Sequence, residues 1–160
     1  MSPLLAAVLP CIFGNLLLRV ASAAAGSAIA LNLAFMRRTT GDVDPTFVGW
    51  LAVAFYTSEL VTAPFFGSLS DRFGRQRFML LGTLLGIVAV LFLPFLPLLP
   101  LFLVARSLEG LSSGSSVPAV LGHLSVETSK VPQLRSRIMA GFEVATILGL
   151  ALGYATAGIL

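Results

Sequence analysis

Charge is scarce in this sequence, and the scarcity excludes most of what a 160-residue chain can be. Lys, Arg, Asp and Glu together make up 11% of the residues, against about 25% in an ordinary soluble domain. So few charges cannot cover the surface of a soluble fold. Cysteine occurs once, at Cys11, and histidine once, at His123. A lone cysteine excludes an intrachain disulfide framework. With no second cysteine and no histidine near it, Cys11 reads as a small apolar filler, and no metal and no cofactor is expected. A basic leader is missing too, since the first Lys or Arg is Arg19. No small-residue cleavage site leads into a polar domain, so the first hydrophobic run is expected to stay in the protein. There is no Ser/His/Asp grouping, metal-ligand spacing or phosphate-binding glycine loop, and an enzyme is not expected. The net charge of +3 divides into short loops, which argues against nucleic acid as a partner.

What the sequence has instead is apolar residues, 57% of the total, in long unbroken runs without amphipathic alternation. A bilayer core about 30 Å thick needs about 20 such residues in a helix. Cutting the chain at its charge clusters predicts an all-α integral membrane protein with five spans, at 11–36, 48–69, 78–96, 101–124 and 138–160. Helix breakers fall between them: Asp42, Asp44 and Pro45, then Pro94, Pro97 and Pro100, then Pro132. Pro64 and Pro118 lie inside spans, where neighbouring helices satisfy the freed carbonyls, and predict kinks. Arg72, Arg75, Arg77, Lys130, Arg135 and Arg137 fall on one side, and only Arg37 and Arg38 on the other. The excess of positive charge predicts that the richer side, and with it the N-terminus, is cytoplasmic, in a multi-pass protein of the cell membrane. The last span ends with the chain and no polar tail, as expected of a fragment.

Gly67, Asp71, Arg72, Gly74 and Arg75 stand in a frame that resembles the cytoplasmic loop signature G-x-x-x-D-R-x-G-R-[RK] of the major facilitator superfamily. Gln76 holds the position where a second base is usual, and Arg77 supplies it one step later. Topology alone needs positive charge but has no use for Asp71 or for glycines at fixed offsets. Gly67 is expected to permit close helix contact, Gly74 a tight turn, and Asp71 a contact with the positive end of another helix. Arg106, Glu109 and Gly110 are similar to the family's R-x-x-q-G pattern, with glutamate where glutamine is common. Glu127 lies in a stretch resembling the end of the family's fourth helix, which implies a pairing with Arg75. Gly149, Gly153 and Gly158 are expected to serve helix packing, and partly resemble the glycine-proline motif of drug/proton antiporters. There Tyr154 occupies the proline position and Ala157 replaces one glycine.

The resemblance implies an incomplete N-terminal six-helix bundle, lacking the sixth span and the C-terminal half, in a fold whose substrate site lies between two halves. The loop around Asp71 is then a conformational latch. Partners implied are the lipid bilayer, a small-molecule substrate and the missing C-terminal half. Within the spans, ionisable groups cost about 2.5–3.5 kcal/mol each on insertion scales, which makes Arg19, Glu59, Arg106 and Glu109 candidates for substrate or coupling sites. Arg19 is expected to pair with Glu59, nearly level with it by depth, with Glu109 second; its alternative role is an inner anchor. Arg106 and Glu109, at i, i+3, share a helix face and have intrahelical neutralisation as the alternative to a cavity role. Glu143 and His123 read as interfacial. The expected function is secondary active transport of a small organic solute by alternating access, with proton-coupled efflux favoured and the fragment alone inactive. The alternatives are a non-transporting membrane sensor or assembly partner that keeps the fold, or an uptake porter.

Overall fold

The computed structural model describes residues 2–40, 44–92, 99–129 and 131–157, and among these all regular structure is helical. Five helices follow in chain order: α1 Ser2–Thr40, α2 Thr46–Phe73, α3 Arg75–Phe92, α4 Leu99–Thr128 and α5 Pro132–Ala157. By length and composition, α1, α2 and α5 are apolar enough to cross a membrane. α4 dilutes its apolar residues with Arg106, Glu109 and a run of serines, and the described part of α3 includes Arg75 and Arg77.

Local chemistry explains where the helices begin and end. The backbone N–H of Thr46 donates to the Asp44 carboxylate at 2.9 Å, so a side-chain acceptor satisfies one of the orphan donors that open α2. That bond, then the Thr46 hydroxyl and the charge of Arg37, holds the Asp44 carboxyl below its ordinary range. Gly74 alone separates α2 from α3. It adopts φ 101° and donates its N–H to the Ser70 carbonyl at 3.0 Å, a conformation open to glycine because it lacks a Cβ. Pro132, expected in a connection, is instead the first residue of α5. There its missing N–H costs nothing and its fixed φ suits the helix. Pro10, Pro64 and Pro118 lie inside helices.

Several helices outrun the expected spans. α1 starts nine residues before position 11, and its 39 residues measure about 58 Å at 1.5 Å each, well beyond a 30 Å hydrocarbon core. α3 begins at Arg75, three residues before position 78. Hydropathy registers where apolar residues stop, whereas a helix continues for as long as its backbone bonds are made. Pro94 and Pro97 lie outside the described residues.

α4 is the hub, packed along α2 and α3 and touching α1 and α5, while α5 lies along α1. Small side chains permit this. Gly110, Ser112, Ser113, Gly114, Ser115, Ser116 and Ala119 of α4 are all buried. At the two ends of the bundle lie apolar clusters, one of Ile29, Leu33, Leu51 and Phe102, the other of Val8, Leu124 and Phe142. The outer faces carry exposed Phe35, Trp50, Leu60, Val61, Phe65, Leu84 and Ile147. Such a surface suits lipid and not water.

Candidate functional site

Between the two apolar clusters lies a layer of charge. Arg19 enters it from α1, Glu59 from α2, and Arg106 and Glu109 from one face of α4, so three helices each bring ionisable groups to one level. Arg19 Nη2 stands 3.7 Å from Glu59 Oε1, the pairing expected from depth. The Arg19 side chain is 13% exposed and faces the bundle. Arg106 Nη1 donates to Glu109 Oε2 at 2.5 Å, the intrahelical pairing left open by the i, i+3 spacing. Their side chains are 14% and 3% exposed.

Hydroxyls tie these pairs across helices. Ser22 of α1 donates to Glu109 Oε2 at 3.2 Å, and Ser113 of α4 donates to Glu59 Oε1. The Arg106 guanidinium lies 4.7 Å from the centroid of the Phe55 ring, a cation–π contact that strengthens where water is excluded. With two arginines and two glutamates the layer is neutral, and each buried charge has an opposite neighbour. That is the condition under which charge survives burial.

The layer borders a cavity of about 470 Å³, whose wall includes Arg19, Glu59, Arg106, Phe55, Tyr56 and Tyr154. Most of its lining comes from α1 and α2, which share little backbone contact, with Arg106 of α4 and Thr146, Leu150 and Tyr154 of α5 completing it. Glu109 lies behind it, on a separate narrow cleft that Arg19 also borders. Charge, two hydroxyl-bearing aromatics and a phenyl ring on one concave wall can hold a small organic molecule by polar anchoring and apolar contact together. Sequence reasoning missed Ser22, Phe55 and Thr146. The last accepts a hydrogen bond from Asn15 Nδ2 at 2.8 Å. Asn15, a carboxamide in an apolar run one helical turn before Arg19, was the signal that could have drawn attention to that face.

At the α2–α3 junction, Arg75 donates from Nε and Nη2 to Asp71 Oδ1 at 2.9 and 2.5 Å, so the acid and base on either side of Gly74 close on each other. Asp71 is 61% exposed. Three expectations need correction here. Asp71 meets α3 at its first residue, but through the Arg75 side chain and not through the backbone N–H groups of that helix end. Glu127 does not pair with Arg75: the Arg75 guanidinium lies over Gly122 of α4, where a Cβ would sit 2.7 Å from its Nε. Glu127 is five residues further along α4, about 7.5 Å on and about 140° round the helix. Gly67 gives no unusually close approach, because an added Cβ there would meet only the Pro118 side chain at 3.5 Å. Arg72 and Arg77 are exposed, as is Glu143, while His123 is half-buried.

The close approaches lie elsewhere. A Cβ at Gly149 would stand 2.7 Å from the Leu16 carbonyl oxygen and 2.8 Å from Arg19 Cβ, and at Gly153 one would stand 2.6 Å from Ala23 Cβ. Gly110 is similarly held against α2, 2.8 Å from Ser58 Cβ by the same measure. Gly158 lies outside the described residues.

Known proteins provide an independent view of this arrangement. Multidrug resistance protein 2 of Bacillus subtilis is 31% identical over 113 residues, which cover 71% of this chain and 28% of the relative. Protein spinster of Drosophila melanogaster is 31% identical over 120 residues, covering 73% and 19%. Quinolone resistance protein NorA of Staphylococcus aureus is 28% identical over 75 residues, covering 47% and 19%. The matches thus span less than a third of the length of these curated relatives. No solved structure matches the chain significantly. The family profile described as Major Facilitator Superfamily covers residues 12–160, taking in the Gly74 junction, the charge layer and the α1–α5 seam alike, and on that ground the chain belongs to the Major Facilitator Superfamily.

Proposed function

We propose that the chain is the N-terminal part of a secondary active transporter that moves a small organic solute by alternating access, in the direction of efflux and driven by protons. All five helices cross the cell membrane in this reading, with the N-terminus and the Asp71–Arg77 junction on the cytoplasmic side. The bundle is completed by a sixth span and docks against a C-terminal half. One observation carries the proposal: four charges, paired to neutrality across three helices, lie in the bundle interior, and three of them, Arg19, Glu59 and Arg106, line a 470 Å³ cavity. Keeping charge in a membrane bundle is costly, and a purely structural bundle has no use for it beside a cavity. The names of two relatives, a multidrug resistance protein and a quinolone resistance protein, favour export and a drug-like solute. Gly67, Asp71, Arg72, Gly74, Arg75 and Arg77 act as the latch, the Asp71–Arg75 pair fixing the angle between α2 and α3 in one of the two access states.

The test is transport by the full-length protein in proteoliposomes under an imposed pH gradient, with a fluorescent organic dye as the solute. Gradient-dependent dye movement that drops at least 10-fold in Glu59→Gln supports the reading. Folded protein that moves no dye and does not dissipate the gradient with any of a panel of organic solutes would point to a non-transporting sensor instead.

A further inference from the structure

The charge layer is neutral as a whole, but its charges are not evenly placed about the cavity. Arg19, Glu59 and Arg106 line the wall, while Glu109 lies behind it. Two positive charges therefore face the cavity against one negative, and the acid that balances the second is turned away, its side chain 3% exposed. A concave wall of low dielectric concentrates such an imbalance. A second groove shares Ala30 and Val48 with the cavity and, among the described residues, carries Arg37 and Arg38 against Asp44. The excess of positive charge thus continues toward the end of α1.

The two arginines of the wall are differently held. Arg106 is fixed on three sides: Nη1 donates to Glu109 Oε2 at 2.5 Å, the guanidinium lies 4.7 Å from the Phe55 ring centroid, and a Cβ on Gly26 of α1 would stand 3.2 Å from Nη1. Arg19 is held to Glu59 by charge alone. Its Nη2 is 3.7 Å from Glu59 Oε1, longer than a hydrogen bond, and that oxygen already accepts from Ser113. The Arg19 fork can therefore turn its donors to a carboxylate or sulfonate in the cavity without breaking a hydrogen bond to Glu59, and a planar guanidinium suits such a group better than any other side chain. A cation is worse placed, because the one acid on the wall has Arg19 beside it.

We infer that the solute this cavity takes is a small organic anion, its carboxylate or sulfonate on Arg19 and its apolar body against Leu51, Ala52 and Leu150. The inference rests on the reading of the cavity as the solute site, and not on the direction or coupling of transport.

The test compares three probes with one aromatic body and different charge, naphthylacetate, naphthylacetamide and naphthylethylammonium. Their binding to the full-length protein in nanodiscs of zwitterionic lipid is measured by titration calorimetry against empty nanodiscs. The anion should bind about 10-fold or more tightly than either of the others, roughly the worth of one charge-assisted hydrogen bond. Arg19→Gln should abolish the preference, and Arg19→Lys, which keeps the charge without the fork, should retain part of it. Glu59→Gln should tighten naphthylacetate, because Arg19 is released to it, whereas a cation site would be weakened; this variant carries the test if Arg19→Gln does not fold. Equal or tighter binding of the ammonium or the amide, no binding of any probe, or an anion preference that survives Arg19→Gln overturns the inference. So does competition by added anionic lipid, which would give the site to a lipid headgroup. Dye movement in proteoliposomes without an anion preference would keep the transporter and remove the anion, while anion preference in a protein that moves no solute would keep this site and remove transport.

Discussion

Glu109 is the most enclosed charged side chain among the described residues, and what keeps it tolerable is Arg106 one turn away on the same helix. Breaking a buried pair strands a charge, whereas removing both partners strands nothing. Arg106→Gln should therefore cost about 3–5 kcal/mol of stability, and Arg106→Gln combined with Glu109→Gln distinctly less. Unfolding in detergent, followed for the two single variants and the double, checks this, and strict additivity would show that the pair is not a unit. Glu59 sits in a milder place, 24% exposed on the cavity wall, so Glu59→Gln should affect folding less than Arg106→Gln. At the other end of the molecule, Asp44 supplies a pH dependence whose sign follows from its lowered carboxyl. Its contribution is fully present above the ordinary aspartate value of about 3.9 and is lost as pH falls through the lowered folded value. The difference in melting temperature between the parent and Asp44→Ala should be constant from pH 7 to about 5 and shrink below about 4.

Among elements, the α1–α5 seam is set by glycine. An alanine at Gly149 would drive its methyl into the Leu16 carbonyl and the Arg19 Cβ, so it must push the helices apart at the level of the charge layer. Gly149→Ala should cost about 1–3 kcal/mol, the usual range for overpacking, and should weaken the Arg19–Glu59 contact as well. Gly67→Ala is the control, since its added methyl finds ordinary contact with Pro118; it should melt within a degree or two of the parent. Gly74 is different in kind, because its φ of 101° lies where other residues pay about 1–3 kcal/mol. Gly74→Ala should lower stability by about that amount and alter the α2–α3 angle. A spin-label distance between Phe66 and Thr83 that does not change in Gly74→Ala would show that the angle is set elsewhere.

For the whole molecule, the testable question is orientation. Gln76 beside the Gly74 junction and Thr39 at the end of α1 are both exposed, at opposite ends of the bundle. Single cysteines placed there in a Cys11→Ser background should react with a membrane-impermeant maleimide from opposite sides, Gln76→Cys from the cytoplasm. Labelling from one side for both would overturn the five-span topology. Much of this was legible in the chain itself. Scarce charge and unbroken apolar runs determine a helical membrane bundle, because lipid cannot satisfy a bare backbone and only internally bonded helices survive there. The fixed spacing around Gly74 determines a turn that only glycine makes comfortably, and the depths of Arg19 and Glu59 determine that they are level. Depth is a one-dimensional quantity, counted at 1.5 Å per residue. What it leaves open is azimuth, which depends on how neighbouring helices rotate to pack. Only the tertiary structure therefore decided that Arg75 turns back to Asp71 and away from Glu127, that Ser22 and Ser113 lock the charge layer across helices, and that Glu109 sits behind the cavity that Arg19 and Glu59 line.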